Sequence, residues 1–238
     1  VLIPRDDNTY LNRFYTTRVT AVPGATRLKD NDFSAVIRQA KEIGPLQTTP
    51  LKKNHVGFHY SVILSLADKV VEAVKAGKLR RFFVIGGCDG AEPGRNYFAD
   101  FAQNAPQDSV ILTLGCGKFR IRNHDYGMID LGGVQVPRLL DLGQCNDSYG
   151  AIQLALALSK AFNCGVNDLP LTLVISWFEQ KAVAVLLTLL ALGVKGIRLG
   201  PALPAFVTPN VLKLLQEKYD LQPIGRNGAQ DVAAVMAK

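Results

Sequence analysis

No two cysteines in these 238 residues are spaced as CxxC, and the four that occur, Cys88, Cys116, Cys145 and Cys164, lie far apart. Zinc ribbons and fingers place their ligands two at a time on tight turns, so that class is excluded. A secreted disulfide framework would be denser and shorter, which points to a reducing, cytoplasmic setting. No apolar run is long enough to cross a bilayer: the longest, Ala182 to Val194, reads as a buried helix. A soluble protein without membrane contact is expected. The first residues, Val1-Leu2-Ile3-Pro4, contain neither an initiator Met nor a charged-then-apolar leader, which predicts no signal peptide and a chain cut from a longer one.

A basic stripe with interleaved aromatics is missing as well. The 27 Lys and Arg against 20 Asp and Glu give a formal charge of +7, but they are scattered, with only short pairs such as Lys52-Lys53 and Arg80-Arg81. A solvated basic surface is expected rather than a nucleic-acid groove. No GxGxxG follows a strand, and Gly117-Lys118 fails the P-loop pattern because Leu112 stands where it needs glycine and Phe119 where it needs Ser or Thr. Nucleotide binding is therefore not expected. Repeats and low-complexity tracts are absent. What remains is an ordinary globular composition, 48% hydrophobic and 20% charged, in a chain long enough for one large core.

The first fifty residues differ in texture from the rest. A β-like stretch at Phe14 to Val22, a turn at Pro23-Gly24, a helix near Asp32 to Ile43 and a polar segment from Pro45 to Lys53 read as a connecting arm, residues 1–53, from a preceding domain. Residues 54–238 alternate regularly. The expected strands are 82–85, 110–114, 138–142, 171–175, 196–199 and a last short one near 221–224; the expected helices are 62–76, 96–104, 148–162, 180–192 and 209–218. Only the connection 117–136 looks irregular. Short, wholly apolar strands between helices predict an α/β domain with a doubly wound, mainly parallel, Rossmann-like sheet covered by helices on both faces.

In such a sheet ligands bind beyond the carboxyl ends of the strands. Cys88 follows the strand ending at Ile85, Cys116 follows Leu114, Cys145 follows Leu142, and Glu179 follows the strand ending near Trp177. A single cysteine is most often a small buried hydrophobe. Three at equivalent strand ends, joined by a carboxylate, suit a bulky inorganic cluster held from a broad rim, with iron as the natural metal. Each sits among glycines and small polar residues, as in Gly86-Gly87-Cys88-Asp89-Gly90, Gly115-Cys116-Gly117 and Gly143-Gln144-Cys145-Asn146-Asp147, which permit close backbone approach. Cys164 follows a helix and is assigned to packing.

At these same residues the sequence resembles a known family. The segments Phe83 to Gly90, Asp141 to Asp147, Cys164 to Pro170 and Ser176 to Ala182 closely resemble the carboxy-terminal portion of hybrid cluster proteins, the hydroxylamine reductases, and the likeness covers nearly the whole chain. The resemblance implies that Cys88 carries a persulfide bridging to a hybrid iron–sulfur–oxygen cluster, that Cys116 and Cys145 are thiolate ligands, and that Glu179 is a carboxylate ligand on the substrate side. Lys181 resembles a residue beside the cluster that stabilises or protonates intermediates, with a surface lysine as the plain alternative. The family's remaining ligands (a histidine, a second glutamate and a further cysteine) and its amino-terminal 4Fe-4S cubane belong to preceding domains; none is found here. His55, His59 and His124 match no family ligand and read as solvated or hydrogen-bonded. The implied activity is reduction of hydroxylamine, or of nitric oxide, under nitrosative stress, with a redox donor and the preceding domains as partners. A carbon monoxide dehydrogenase shares the architecture but fits the motifs less well. The remaining alternative is a non-catalytic apo domain that docks onto the missing half.

Overall fold

A computed structural model of the chain describes residues 14–15, 26–27, 30, 32–45, 56–90 and 92–237. Two compact units make up the chain, 1–52 and 53–238. In the first, strands β1 (Phe14–Tyr15) and β2 (Thr26–Arg27) pair in parallel, and helix α1 spans Ser34–Ile43. Helix α1 starts two residues later than the pattern suggests, because the Asp32 carboxylate accepts from the Ser34 N–H at 2.9 Å and lies outside the first turn. The remainder of the β-like stretch after Tyr15, the Pro23-Gly24 turn and the segment 46–53 lie outside the described residues.

The second unit begins with α2 (Tyr60–Leu64) and α3 (Ala67–Lys75), where a single helix was expected. The break is local chemistry: the Ser65 hydroxyl donates to the Val62 carbonyl at 2.7 Å and competes with the helical ladder. Strand β3 (Arg81–Gly87), α4 (Asn96–Gln103), β4 (Ser109–Leu114) and the short α5 (Lys118–Ile121) follow. The connection expected to be irregular holds an antiparallel hairpin, β5 (Met128–Asp130) with β6 (Gln135–Pro137). Then come β7 (Leu139–Gly143), α6 (Ser148–Phe162), β8 (Leu171–Ser176), α7 (Gln180–Ala191), β9 (Ile197–Gly200), α8 (Pro209–Tyr219), β10 (Gln222–Pro223) and α9 (Gly228–Met236). Periodicity did not reveal α9. Its amino end is capped locally, by the Asn227 side chain accepting from the Gln230 N–H at 3.1 Å, and held from a distance by the Asp100 carboxylate accepting from the N–H groups of Gly228 at 2.7 Å and Ala229 at 3.2 Å.

Six strands form one sheet in the order β10-β9-β8-β3-β4-β7, and every pair is parallel. Counted along this domain alone the order is 6-5-4-1-2-3, the doubly wound arrangement, with its reversal point between β3 and β8. All six residues of β4 are buried, as a strand covered on both faces requires. Alternate side chains feed two cores. Phe82, Val84, Leu112, Leu140 and Leu173 pack under α3, α6, α7 and α8, while Phe83, Ile85, Ile111 and Val174 pack under α4 and α9. In the second core Phe83 and Phe101 meet edge to face, ring centroids 5.4 Å apart.

Buried Arg138, entering β7, pins the sheet edge to the loops around it. Its guanidinium donates to the carbonyls of Ser109 at 3.0 Å, Tyr126 at 2.8 Å and Ala105 at 3.1 Å, to Pro106, and to Gln107 Oε1 at 2.9 Å. Removing it strands several buried carbonyls, each costing roughly 1–3 kcal/mol. Arg138→Ala should therefore lower the unfolding free energy by about 3–5 kcal/mol in urea titrations. A loss under about 1 kcal/mol would mean that water takes over those carbonyls without penalty.

Candidate functional site

Parallel pairing brings the carboxyl ends of β8, β3, β4 and β7 side by side along one edge of the sheet. Those four ends lead, in the same spatial order, to Glu179, Cys88, Cys116 and Cys145. Cys88 is buried, Cys145 is partly buried and Cys116 is exposed. Glu179 precedes α7 at the rim, and its carboxylate pairs with Lys181 Nζ at 3.0 Å. Both are largely exposed.

Glycine makes this edge possible. At Gly87 the backbone leaves β3 with φ +115, and a Cβ would sit 1.8 Å from the Ser176 carbonyl oxygen. Only a residue without a side chain lets β3 turn there while still touching β8. At Gly143 φ is +121, and a Cβ would lie 2.3 Å from Asp147 Oδ2. The space is needed because the Asp147 carboxylate folds back to accept from the Gln144 N–H at 2.6 Å, fixing the turn that carries Cys145. The Cys145 sulfur then lies over the end of β4, 3.4 Å from where a Cβ on Gly115 would be.

The thiols and the ion pair sense one another. Burial pushes the Cys145 thiol above its ordinary value; Cys88, Cys116 and the Glu179 carboxylate push it the same way, and Lys181 opposes them. The bond to Glu179 raises the Lys181 ammonium, with Cys145 and Cys116 adding to the effect. Among the described residues no three His, Cys, Asp or Glu side chains converge closely enough to hold a single metal ion. The donors are strung along a rim instead.

Several cations hold this rim, and sequence reading did not single them out as site residues. Lys118 Nζ donates to Asp141 Oδ1 at 2.9 Å and to the Gly143 carbonyl at 3.0 Å, joining the loops of Cys116 and Cys145; both side chains are under 10% exposed. Asp141 carried a legible signal, a lone acid within the apolar strand Leu139-Leu140-Asp141-Leu142. Arg120 pairs with Asp89 and donates to the Gly90 carbonyl at 3.0 Å, holding the loop of Cys88. Arg95 reaches the same loop from α4 and gives no sign in the sequence.

An apolar cavity of about 200 Å³ runs between α6 and α7 to the rim, lined in part by Gly87, Leu114, Cys145, Ile152 and Leu189. The remaining candidates lie elsewhere. Cys164 follows α6, so it belongs to the opposite edge, and its N–H donates to the Ser159 carbonyl at 3.0 Å. His59 Nδ1 lies 2.8 Å from the Ser61 hydroxyl, and His124 Nε2 is 2.9 Å from the Gln103 amide nitrogen. His55 lies outside the described residues.

With this geometry established, comparison with known proteins gives one consistent picture. Residues 2–232 match the Prismane/CO dehydrogenase family. The chain is 56% identical to a hydroxylamine reductase of Moorella thermoacetica over 94% of its own length and 51% of that protein's. A hydroxylamine reductase of Burkholderia ambifaria is 57% identical over 96% of this chain and 40% of the relative. The chain thus spans about half the length of these relatives, 51% and 40%, and corresponds to their carboxy-terminal portion. Among solved structures, carbon monoxide dehydrogenase from Thermococcus sp. AM4 superposes with TM-score 0.63 at 18% identity, covering 94% of this chain and 41% of that one. Carbon monoxide dehydrogenase IV from Carboxydothermus hydrogenoformans gives 0.65 at 16%, covering 94% and 43%. At those identities the likeness is one of fold.

The two kinds of glycine in this domain can be separated by experiment. Gly87→Ala, facing the Ser176 carbonyl, should cost more than about 3 kcal/mol. Gly77→Ala, also at positive φ but with open space around it, should cost about 1 kcal/mol. Equal losses in urea unfolding would sink the claim that the β3 exit depends on close approach.

Proposed function

The chain belongs to the Prismane/CO dehydrogenase family, and from that membership we propose that it is the carboxy-terminal, cluster-lining part of a cytoplasmic hydroxylamine reductase. One observation carries the reading: three thiols and a carboxylate stand at the ends of four adjacent parallel strands, on one edge. Soft thiolates spread along a rim fit a polynuclear iron–sulfur group better than zinc. Cys88, as a persulfide, Cys116, Cys145 and Glu179 would hold the hybrid iron–sulfur–oxygen cluster, completed by ligands from preceding domains that also carry a 4Fe-4S centre.

When bound, the cluster supplies electrons and an iron site that polarises an N–O bond. Hydroxylamine takes up two electrons and two protons, the N–O bond breaks, and ammonia and water leave. Lys181 Nζ, which pairs with Glu179 at 3.0 Å, would give a proton to the departing oxygen and take one back from solvent. The apolar cavity offers a path for a small neutral molecule and excludes ions. The carbon monoxide dehydrogenase alternative shares the family match, but the solved carbon monoxide dehydrogenases are 16–18% identical to this chain, against 53–57% for the hydroxylamine reductases. Among the described residues no helix is long and apolar enough to cross a membrane.

In the protein joined to its preceding domains, Cys145→Ala should reduce bound iron and hydroxylamine turnover at least about tenfold. Cys164→Ala, at the opposite edge, should leave both near wild type. Equal effects on iron content would count against the rim. The 238 residues alone, prepared anaerobically with iron and sulfide, should fold without metal and show no hydroxylamine reduction with a low-potential dye. Turnover matching the joined protein would show that this chain needs no other ligands.

A further inference from the structure

Between β3 and β8, at the reversal point of the sheet, a single buried cation connects the two loops that carry Cys88 and Glu179. Arg95, just before α4, is 2% exposed. Its Nη1 donates to the Cys88 carbonyl at 3.3 Å and to the Ser176 hydroxyl; Nη2 donates to the Trp177 carbonyl at 2.8 Å; Nε pairs with Glu92 at 2.7 Å. The guanidinium carbon stands 5.7 Å from the Phe178 ring centroid. The Ser176 hydroxyl donates in turn to the Cys88 carbonyl at 2.6 Å, and the Cys88 N–H donates to the Ser176 carbonyl at 2.9 Å. Both backbone polar groups of Cys88 are therefore held from the β8 side.

At a neighbouring pair of strand ends the Gly115 N–H donates to the Gly143 carbonyl at 3.0 Å, and Lys118 Nζ donates to the same carbonyl at 3.0 Å. Between β3 and β8 the chain turns away at Gly87, and carbonyls beyond the ladder need another donor. A planar guanidinium reaches two carbonyls and a hydroxyl at once, with fixed angles between them; an ammonium on a flexible stem does not. Desolvating a cation is costly, so its place here calls for a gain that apolar packing would not supply.

We propose that Arg95 is the positioning residue of the rim: it locks the Cys88 carbonyl to the Trp177 carbonyl and so sets the Cys88 thiol against the loop of Glu179. The proposal rests on the reading of Cys88 and Glu179 as cluster ligands. The bonds from Arg95 to these two loops go to backbone carbonyls and the Ser176 hydroxyl, so it acts through the backbone.

The test is site-resolved alkylation of the metal-free 238-residue chain, with Cys164 as internal reference and thermal unfolding measured alongside. Arg95→Lys should keep cooperative unfolding and the Cys164 rate while raising the Cys88 rate about tenfold, equivalent to about 1.4 kcal/mol. Ser176→Ala, which removes only the shared hydroxyl, should raise it about threefold. A folded Arg95→Lys chain with an unchanged ratio of Cys88 to Cys164 rates overturns the proposal and leaves Arg95 a stabilising residue. If Arg95→Lys fails to fold, Ser176→Ala decides by the same ratio. Iron content of the joined protein separates the two ideas: Cys88→Ala with iron unchanged would remove the ligand reading, whatever the alkylation rates show.

Discussion

The backbone ladders that β3 makes with β4 on one side and β8 on the other decide where everything else in this domain lies. Both are parallel, so the carboxyl ends of the three strands emerge together. The chain extends the sheet from β3 in one direction, through β4 and β7, and then returns to build the other half from β8. A crevice is left at the turning point because successive connections lie on opposite faces there. Cys88 and Glu179 flank that crevice although they are far apart in sequence.

A parallel sheet covered on both faces buries its strands completely, which leaves the strand ends as the only places where polar chemistry meets solvent. The burial of charge follows that geography. Arg138 serves carbonyls around the amino end of β4, far from the thiols. Lys118, Arg120 and Arg95 serve carbonyls and carboxylates at the carboxyl ends, one loop after another. Cys116, Glu179 and Lys181 are the exposed parts of the rim.

Much of this was legible from residue order. Apolar runs four to six residues long located the main strands, and α6 begins and ends where its periodicity does, at Ser148 and Phe162. The thiols could be placed at strand ends because each follows an apolar run closed by glycine. The break between α2 and α3 and the presence of α9 escaped notice for different reasons. The first turns on one hydroxyl bonding back to the chain; the second carried a local cap, Asn227, but its first N–H groups are satisfied by a carboxylate from α4 that is 128 residues away.

The sequence by itself determined the class of sheet, the strand that each of Cys88, Cys116 and Cys145 follows and the family to which the chain belongs, because apolar periodicity, glycine placement and motif identity are local properties. It did not determine the strand order. That order puts Glu179 beside Cys88 and sends Cys145 to the far end of the row, over the end of β4. Nor did it determine that Arg95 joins two loops or that Lys118 joins two others. Strand order and buried ion placement depend on crossovers and on contacts between residues tens of positions apart, which no local pattern encodes.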